Sequence, residues 1–525
     1  MISRPDQYFN TTLWSGDDTD PKQINLGMAA DLIWVKARNQ GNWHWLSDTL
    51  RGTANTRYKL YSNSTNAEDT APIYGQADSI NDFGFVAGGG THESNPLSDS
   101  NLLGTDYICY SWKAGGSKGT FNIDGEGRAN ASDVNMNVGA FNSSSYNTSQ
   151  RWSDNLTVNT GSVSNATQAF NANLTNGADS SASTGSNDRT MTATIGLTLN
   201  NETVEVYPNH TYSGYYATID GVDQPIQYFT TPNGFKTMGP FTGTLTSVTV
   251  TNGTESSSRP AGIRAIKVGG KILVDNNITP PNVPSVANTG CSVGTKQGFS
   301  ITKFTTVSGT SGGATIAHGL NSKPDMYMYK PLSTSGEWVV VHKANYNRFA
   351  YLNATTHFRT INSQGGGTPA DPTDKVLTLY DLGVTLASKD YICYAWSDVP
   401  GMQRFGRYEG SGVAGNYVYL GFRPALIWIK SYDSTSIENW GIIDSTRSYA
   451  NPGNHTLATN LYEAESYFGD GSSVYGSSNK IDLVSDGFVL RETSGFGNTS
   501  GITFIYCAWA EAPAFNLYGA QSNAR

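Results

Sequence analysis

The heptapeptides D-Y-I-C-Y-S-W at Asp106–Trp112 and D-Y-I-C-Y-A-W at Asp390–Trp396 are nearly identical. A third copy, T-F-I-Y-C-A-W at 503–509, keeps the alternation and the closing Trp509, but its Cys507 stands one position later than Cys109 and Cys393. Self-similarity at this spacing marks repeated supersecondary units. The alternation of apolar and small residues marks each copy as a strand that closes a repeat.

Working outward, three apolar runs end in lysine: A-D-L-I-W-V-K at 30–36, P-D-M-Y-M-Y-K at 324–330 and P-A-L-I-W-I-K at 424–430. They read as buried strands entered from a turn. Further on, His44-x-x-x-Asp48-x-x-Arg51 matches Trp440-x-x-x-Asp444-x-x-Arg447, whereas the middle copy has Trp338-x-x-x-His342. Leu60, Asn63, Ala67 and Glu68 match Leu457, Asn460, Ala464 and Glu465, and Gly84-Phe85-Val86 matches Gly487-Phe488-Val489. Each repeat opens on an aromatic residue and a glycine-rich turn, at 9–16, 299–309 and 405–412. The expected organisation is an N-terminal segment 1–8, repeats at 9–116, 297–400 and 401–513, and a C-terminal tail 514–525. Trp34, Trp428, Trp112, Trp396 and Trp509 are the landmarks of the repeat.

Between the first two repeats the chain departs from this pattern. Residues 117–140 read as a linker, and the Asn/Ser/Thr-rich stretch from Ala129 to Arg189 has the composition of a loop. Period-two alternation then returns at I-G-L-T-L (195–199), T-V-E-V-Y (203–207), T-L-T-S-V-T-V (244–250) and G-I-R-A-I-K-V (262–268). These predict an inserted β-sandwich at 141–276. A Pro-rich linker, 277–296, contains P-P-N-V-P and cannot continue a ladder. The fold class is therefore all-β: three repeated β-sandwich-like units plus an inserted β-sandwich, with few or no long helices.

Composition agrees. The chain has 525 residues, 15% of them charged, with 57 Gly and 20 Pro. At about 100–200 residues per domain this length implies several domains, and turn-rich, charge-poor composition suits β architecture. Lys and Arg total 34 against 43 Asp and Glu, a net charge of −9, without a basic run; this disfavours nucleic acid as a partner. Apolar runs are of strand length, and M-I-S-R-P-D-Q lacks the order of a signal peptide, so neither membrane insertion nor secretory export is expected. Four separated cysteines without a C-x-x-C pair predict buried thiols.

Asp48/Arg51 and Asp444/Arg447 resemble an acid beside a positioning cation, but an active site needs one constellation, and recurrence points to an ion pair that pins a turn. His44, His92, His210, His318, His342, His357 and His455 are scattered, without H-E-x-x-H. The G-x-S-x-G matches at 115–119 and 309–313 lack the strand-turn-helix context of a nucleophile elbow. No catalytic residue and no metal site is assigned. Asp17, Asp18 and Asp20, or Asp220 and Asp223, offer hard oxygens for Ca2+, but their spacing is not that of an EF-hand and solvated turns are the favoured reading. Among 29 Tyr and 11 Trp, the cluster Tyr212, Tyr215, Tyr216, Tyr228 and Phe229 is the candidate recognition surface, because a tyrosine offers a flat apolar face and a polar edge.

The repeat resembles one found in structural proteins of tailed bacteriophages, especially marine ones, known as tail fibre or virion proteins. The resemblance is carried by G-F-R-P-A-L-I-W-I-K at 421–430, Asp444 with Arg447, Ser485-Asp486-Gly487-Phe488, the A-E-A-P-A-F at 510–515 and the final S-N-A-R. The inserted segment, through G-I-R-A-I-K-V-G-G-K-I-L-V-D at 262–275, is similar to a module found within such proteins. The middle repeat departs, with Met328 for Trp, His342 for Asp and no S-D-G-F. The resemblance implies a non-enzymatic virion component made in the bacterial cytoplasm: a tail fibre or appendage that binds a host surface glycan or protein multivalently. It also implies association with other virion proteins and a homo-oligomer, by analogy a trimer. Capsid decoration or a head fibre is the alternative, and a polysaccharide depolymerase tailspike the third reading.

Overall fold

The computed structural model describes residues 4–115, 127–129, 131, 134, 140–142, 151–181, 189–210, 215–220, 227–228, 234–252, 260–278, 284–306, 313–361, 370–380, 388–434, 438–465, 481–493 and 497–511. The chain is all-β and divides into two compact bodies, Met1–Met136 with Pro284–Arg525, and Asn137–Val283.

The larger body holds the three repeats. In the first, Phe9–Ser15, Asp106–Trp112, Leu32–Ala37, Trp45–Asp48 and Leu60–Tyr61 form a five-stranded sheet in that order. Gln403–Glu409, Thr503–Ala510, Pro424–Ser431, Gly441–Asp444 and Thr456–Ala458 form the same sheet in the third repeat. The middle repeat has the corresponding strands Phe299–Thr305, Asp390–Trp396, Met326–Pro331, Val339–His342 and Arg348–Tyr351, and extends at both edges. One extension is Asn288–Gly294, a strand within the stretch read as a Pro-rich linker; Gly127–Arg128, from the stretch read as the other linker, pairs with it. The strand begins at Asn288, after the proline run, where backbone N–H groups are again available to the ladder.

A smaller sheet backs each large one. It is three-stranded in the first repeat (Lys22–Asn25, Gly84–Gly88, Gln76–Asn81) and in the third (Asn416–Tyr419, Gly487–Leu490, Ile481–Val484). In the middle repeat it comprises Thr315–Ala317 and Val376–Thr378. The glycine of the repeated G-F-V has a steric cause: a Cβ at Gly84 would overlap the Ile24 carbonyl, and one at Gly487 the Val418 carbonyl. Only glycine lets the partner strand approach there.

Successive side chains of a strand point to opposite faces. Ile33 and Val35 therefore join Phe85, Tyr107 and Cys109 between the two sheets of the first repeat, while Leu32 and Trp34 face away from it. Ile427 and Ile429 face inward in the third repeat, and Leu426 and Trp428 outward. The outward faces of all three large sheets meet in one shared core. At its centre Trp112, Trp396 and Trp509 form a nearly equilateral triangle, with ring centroids 6.1, 5.5 and 6.1 Å apart and edges directed at faces. This double burial is why the lysine-ended runs are apolar without alternation.

The repeats are joined cyclically. Glu68 N–H donates to Leu332 O at 2.8 Å, Phe358 N–H to Tyr432 O at 3.3 Å and Glu465 N–H to Arg38 O at 2.7 Å. Each bond links the first repeat to the second, the second to the third, or the third to the first, and the three acceptors stand at equivalent positions. Trp338 Nε1 donates to Tyr61 O and Trp440 Nε1 to Tyr351 O, both at 2.9 Å, while His44, at the same position in the first repeat, faces the backbone of Ala458. The larger body is thus a ring of three β-sandwiches.

The smaller body carries one ten-stranded sheet around its own core. The two strands read at 195–199 and 203–207 are parts of one strand, Arg189–Pro208, paired with Lys236–Asn252. Register shifts, and left-handed Asn201 (φ 56°), absorb the interruption between the two alternating runs.

Candidate functional site

Two features outside routine packing could carry function: the polar clusters at the seams between repeats, and the aromatic residues on the surface.

At the seam of the first and second repeats Asp48 and Arg51 are fully buried, with Arg51 Nε 2.6 Å from Asp48 Oδ2. Asp48 Oδ1 instead accepts the backbone N–H groups of Leu50 and Arg51, which turns the chain. The pair is thus shared between two tasks, one oxygen for the guanidinium and one for the turn, and is not a two-pronged fork. Tyr394 of the second repeat donates its hydroxyl to Asp48 Oδ2 at 2.6 Å. The seam of the third and first repeats repeats this geometry. Arg447 Nε lies 2.5 Å from Asp444 Oδ2, and Tyr110 of the first repeat donates to that oxygen at 2.8 Å. Burial works against the Arg51 charge, but Asp48, Tyr394 and Glu68 outweigh it and hold its pKa above the ordinary value. Burial raises the Tyr110 and Tyr394 hydroxyls well above theirs.

The remaining seam explains both irregularities of the repeat. His342 takes the aspartate position; its Nδ1 accepts Ala344 N–H at 3.1 Å and its Nε2 lies 3.3 Å from Tyr506 O of the third repeat. Burial pushes its pKa down to about 3, so the ring is neutral, with the proton on Nε2. The position of Tyr110 and Tyr394 is here Cys507, whose Sγ lies 3.1 Å from Met326 Sδ. Cysteine therefore moved one step along the strand, from the face of Cys109 inside a sandwich to the shared core. The two departures fall at positions that touch each other at the other two seams.

Lys36, Lys330 and Lys430, which end the apolar runs, are buried too. Lys330 Nζ donates to Gly336 O at 2.6 Å and to Ser64 O of the first repeat; Lys430 Nζ donates to Thr355 O of the second at 2.8 Å. Burial lowers their pKa values to about 7 for Lys36, 8 for Lys330 and 7 for Lys430. Lys330 and Lys430 thus tie loop carbonyls across the seams, whereas Lys36 Nζ donates to Ala37 O and Gln40 O within its own repeat.

The sequence-selected recognition cluster is only partly described. Tyr215–Asp220 and Gln227–Tyr228 are paired strands, with Tyr216 opposite Tyr228, and Tyr216 is half-buried. Tyr212 and Phe229 lie outside the described residues. The acidic group is engaged in loop bonds: Asp17 takes Lys22 at 2.7 Å, Asp18 takes Leu103 N–H and Asp20 takes Gly89 N–H. Asp220 accepts from Ser247, and Asp223 lies outside the described residues. Among the described residues no three or more His, Cys, Asp or Glu side chains gather into a group able to hold a metal ion, and no helix is long and apolar enough to cross a membrane.

Exposed aromatics lie elsewhere: Trp43, Tyr74 and Phe83 in the first repeat, and Tyr417, Tyr419, Tyr449 and Tyr462 in the third. Trp43 and Tyr74 flank a cleft of about 300 Å³, with Asn42, Tyr61, Ser98 and Asp99. Sequence reading missed them, because N-W-H-W looks like any alternating strand. Column-by-column comparison of the repeats was the available signal: Trp43 aligns with Glu337 and Asn439.

A family model described as a domain of unknown function, DUF7483, matches residues 4–244 and 275–513. The chain belongs to that family. No curated protein matches it. One solved structure, an arabinofuranosyltransferase from mycobacteria, aligns at 11% identity over 68% of this chain and 34% of its own, with a TM-score of 0.17. The alignment thus spans about a third of that chain, and the TM-score is too low to carry an argument.

Proposed function

We propose that this protein is a structural component of a tailed-phage virion, a tail fibre or related appendage that attaches to the host surface without catalysis. What supports the reading is the division of labour between recurring and non-recurring residues. The ionisable groups that recur, Asp48/Arg51 and Asp444/Arg447, are buried at seams and serve rigidity. Aromatics that do not recur, such as Trp43 and Tyr74, are exposed at the rim. A stiff ring of sandwiches that presents unlike loops suits adhesion, and several weak contacts on a homo-oligomer, by analogy a trimer, would sum through high effective concentration.

Immunogold electron microscopy of virions, with antibody against residues 141–276, tests the proposal. Gold at the tail or fibre tips is expected. Gold over the capsid would replace adhesion with decoration, and new reducing ends from host glycan incubated with pure protein would replace it with depolymerase activity.

A further inference from the structure

We infer that the cleft at Trp43 on the first repeat binds a neutral sugar ring. This deepens the adhesion reading and rests on it only for the statement that the glycan belongs to a host cell.

The first argument comes from the repeats themselves. In the second repeat Asn353 Oδ1 accepts Trp338 N–H at 2.9 Å and its Nδ2 donates to Glu337. In the third, Asn460 Oδ1 accepts Trp440 N–H at 3.0 Å and its Nδ2 donates to Asn439 Oδ1 at 2.6 Å. The first repeat keeps the asparagine, Asn63, but carries Trp43 where the others have Glu337 and Asn439. Trp43 has no acceptor to offer the Asn63 Nδ2, and Asn63 Oδ1, whose counterparts accept the Trp338 and Trp440 N–H groups, is buried without a partner. An unpaired buried polar atom costs stability, and a local rule broken where sister repeats obey it marks a functional position. In exchange the first repeat gains an indole that is 40% exposed.

The second argument is the chemistry around that indole. Trp43 stands at 78° to Tyr61, ring centroids 5.1 Å apart, and Tyr74, also 40% exposed, forms another flat wall. Among the described residues Trp43 Nε1, Tyr74 Oη and Asn42 Oδ1 make no bond within the chain, which leaves a donor, a hydroxyl and an acceptor beside the apolar faces. Flat rings edged with free polar groups suit the C–H face and hydroxyl rim of a pyranose. A volume near 300 Å³ lies at the small end of ligand sites.

The third argument concerns charge. Three aromatic walls beside a carboxylate would also suit a quaternary ammonium. Here Asp99 is already paired with buried Lys59 at 2.8 Å, and the ammonium lies 5.4 Å from the Tyr61 ring centroid. A second cation would meet that charge, whereas a neutral ring would not. The floor is also preformed: Asp99 N–H donates to Tyr74 O and its carbonyl accepts Trp45 Nε1, both at 2.8 Å, while Asn42 Nδ2 donates to Ser98 O at 2.7 Å. Little ordering is left to oppose binding.

The test is saturation-transfer NMR and calorimetry on the full chain, with the methyl glycosides of glucose, galactose, N-acetylglucosamine and rhamnose as probes and choline as competitor. At least one glycoside should bind, and Trp43→Asn should weaken it at least tenfold. Because Asn is the residue of the third repeat, where its Oδ1 accepts from the Nδ2 of Asn460, it offers the Nδ2 of Asn63 the same acceptor, and this variant should melt no lower than the parent. Tyr74→Ala should weaken binding, and Tyr449→Ala, at an exposed site of the third repeat, should not. Failure of every glycoside to bind, equal binding by Trp43→Asn, or preference for choline would overturn the inference. Capsid labelling with Trp43-dependent glycan binding intact would sink adhesion alone; tip labelling with binding independent of Trp43 would sink the site alone.

Discussion

The seam between the first and second repeats and the seam between the second and third perform the same packing task with different chemistry. One buries a charged Asp48–Arg51 pair closed by Tyr394; the other buries a neutral His342 beside the Tyr506 carbonyl, with Cys507 against Met326. What stays constant is the register: Asp48 pairs with Leu32 and His342 with Met326 at the same position of the sheet. The backbone and the tryptophan triangle therefore specify the ring, and polar groups at the seams need only satisfy one another. A charged pair and a neutral set are both acceptable when complete, and neither is acceptable by halves.

The severest way to break this comparison is to remove what both seams share. Trp112→Ala should cost about 5 kcal/mol, the upper end for a large aromatic in a packed core. Urea unfolding should show the whole larger body losing stability together. Loss confined to the first repeat would disprove the shared core.

Next comes the difference between seams. Asp444→Ala leaves Arg447 buried without its carboxylate and should destabilise by about 3–5 kcal/mol. His342→Ala leaves only neutral groups unsatisfied and should cost about 1–2 kcal/mol. Equal losses would remove the distinction. Weaker ligand binding by Asp444→Ala with unchanged melting would show that the ion pair serves recognition after all.

The smallest effect is in pH. Burial lowers His342 to about 3 and His318 to about 4, against about 6.5 in the unfolded chain. A depressed pKa means that the unfolded chain binds more protons, so this stability is complete above about pH 6.5. It fades as pH falls toward 4 and then 3, by at most about 1.4 kcal/mol per pH unit for each group. Melting curves from pH 7 to 4 should show the decline, and His342→Gln should flatten it. An unchanged slope in that variant would mean that the ring is charged in the fold.

How much of this could be read in advance depends on distance along the chain. Repeats, strands and the all-β class follow from period-two patterning and from near-identical heptapeptides, because alternation is a local consequence of strand geometry. The recurrence of Asp48/Arg51 and Asp444/Arg447 already argued for structure over catalysis. The substitutions of His342 for Asp and Cys507 for Tyr were equally visible, but as two separate oddities 165 positions apart.

That the two positions face one another was decided by tertiary structure alone. Three sheets had to turn their outward faces to a common core before the aspartate position of one repeat met the tyrosine position of the next, and no local pattern encodes which sheet lies opposite. The same holds at the surface. Trp43 and Trp45 are two residues apart and look alike in sequence, yet Trp45 opens a strand and is buried against Phe85, whereas Trp43, just before that strand, is exposed. The strands and their faces are legible in the sequence; only the folded ring decided which faces are covered, because cover is supplied by residues from tens to hundreds of positions away.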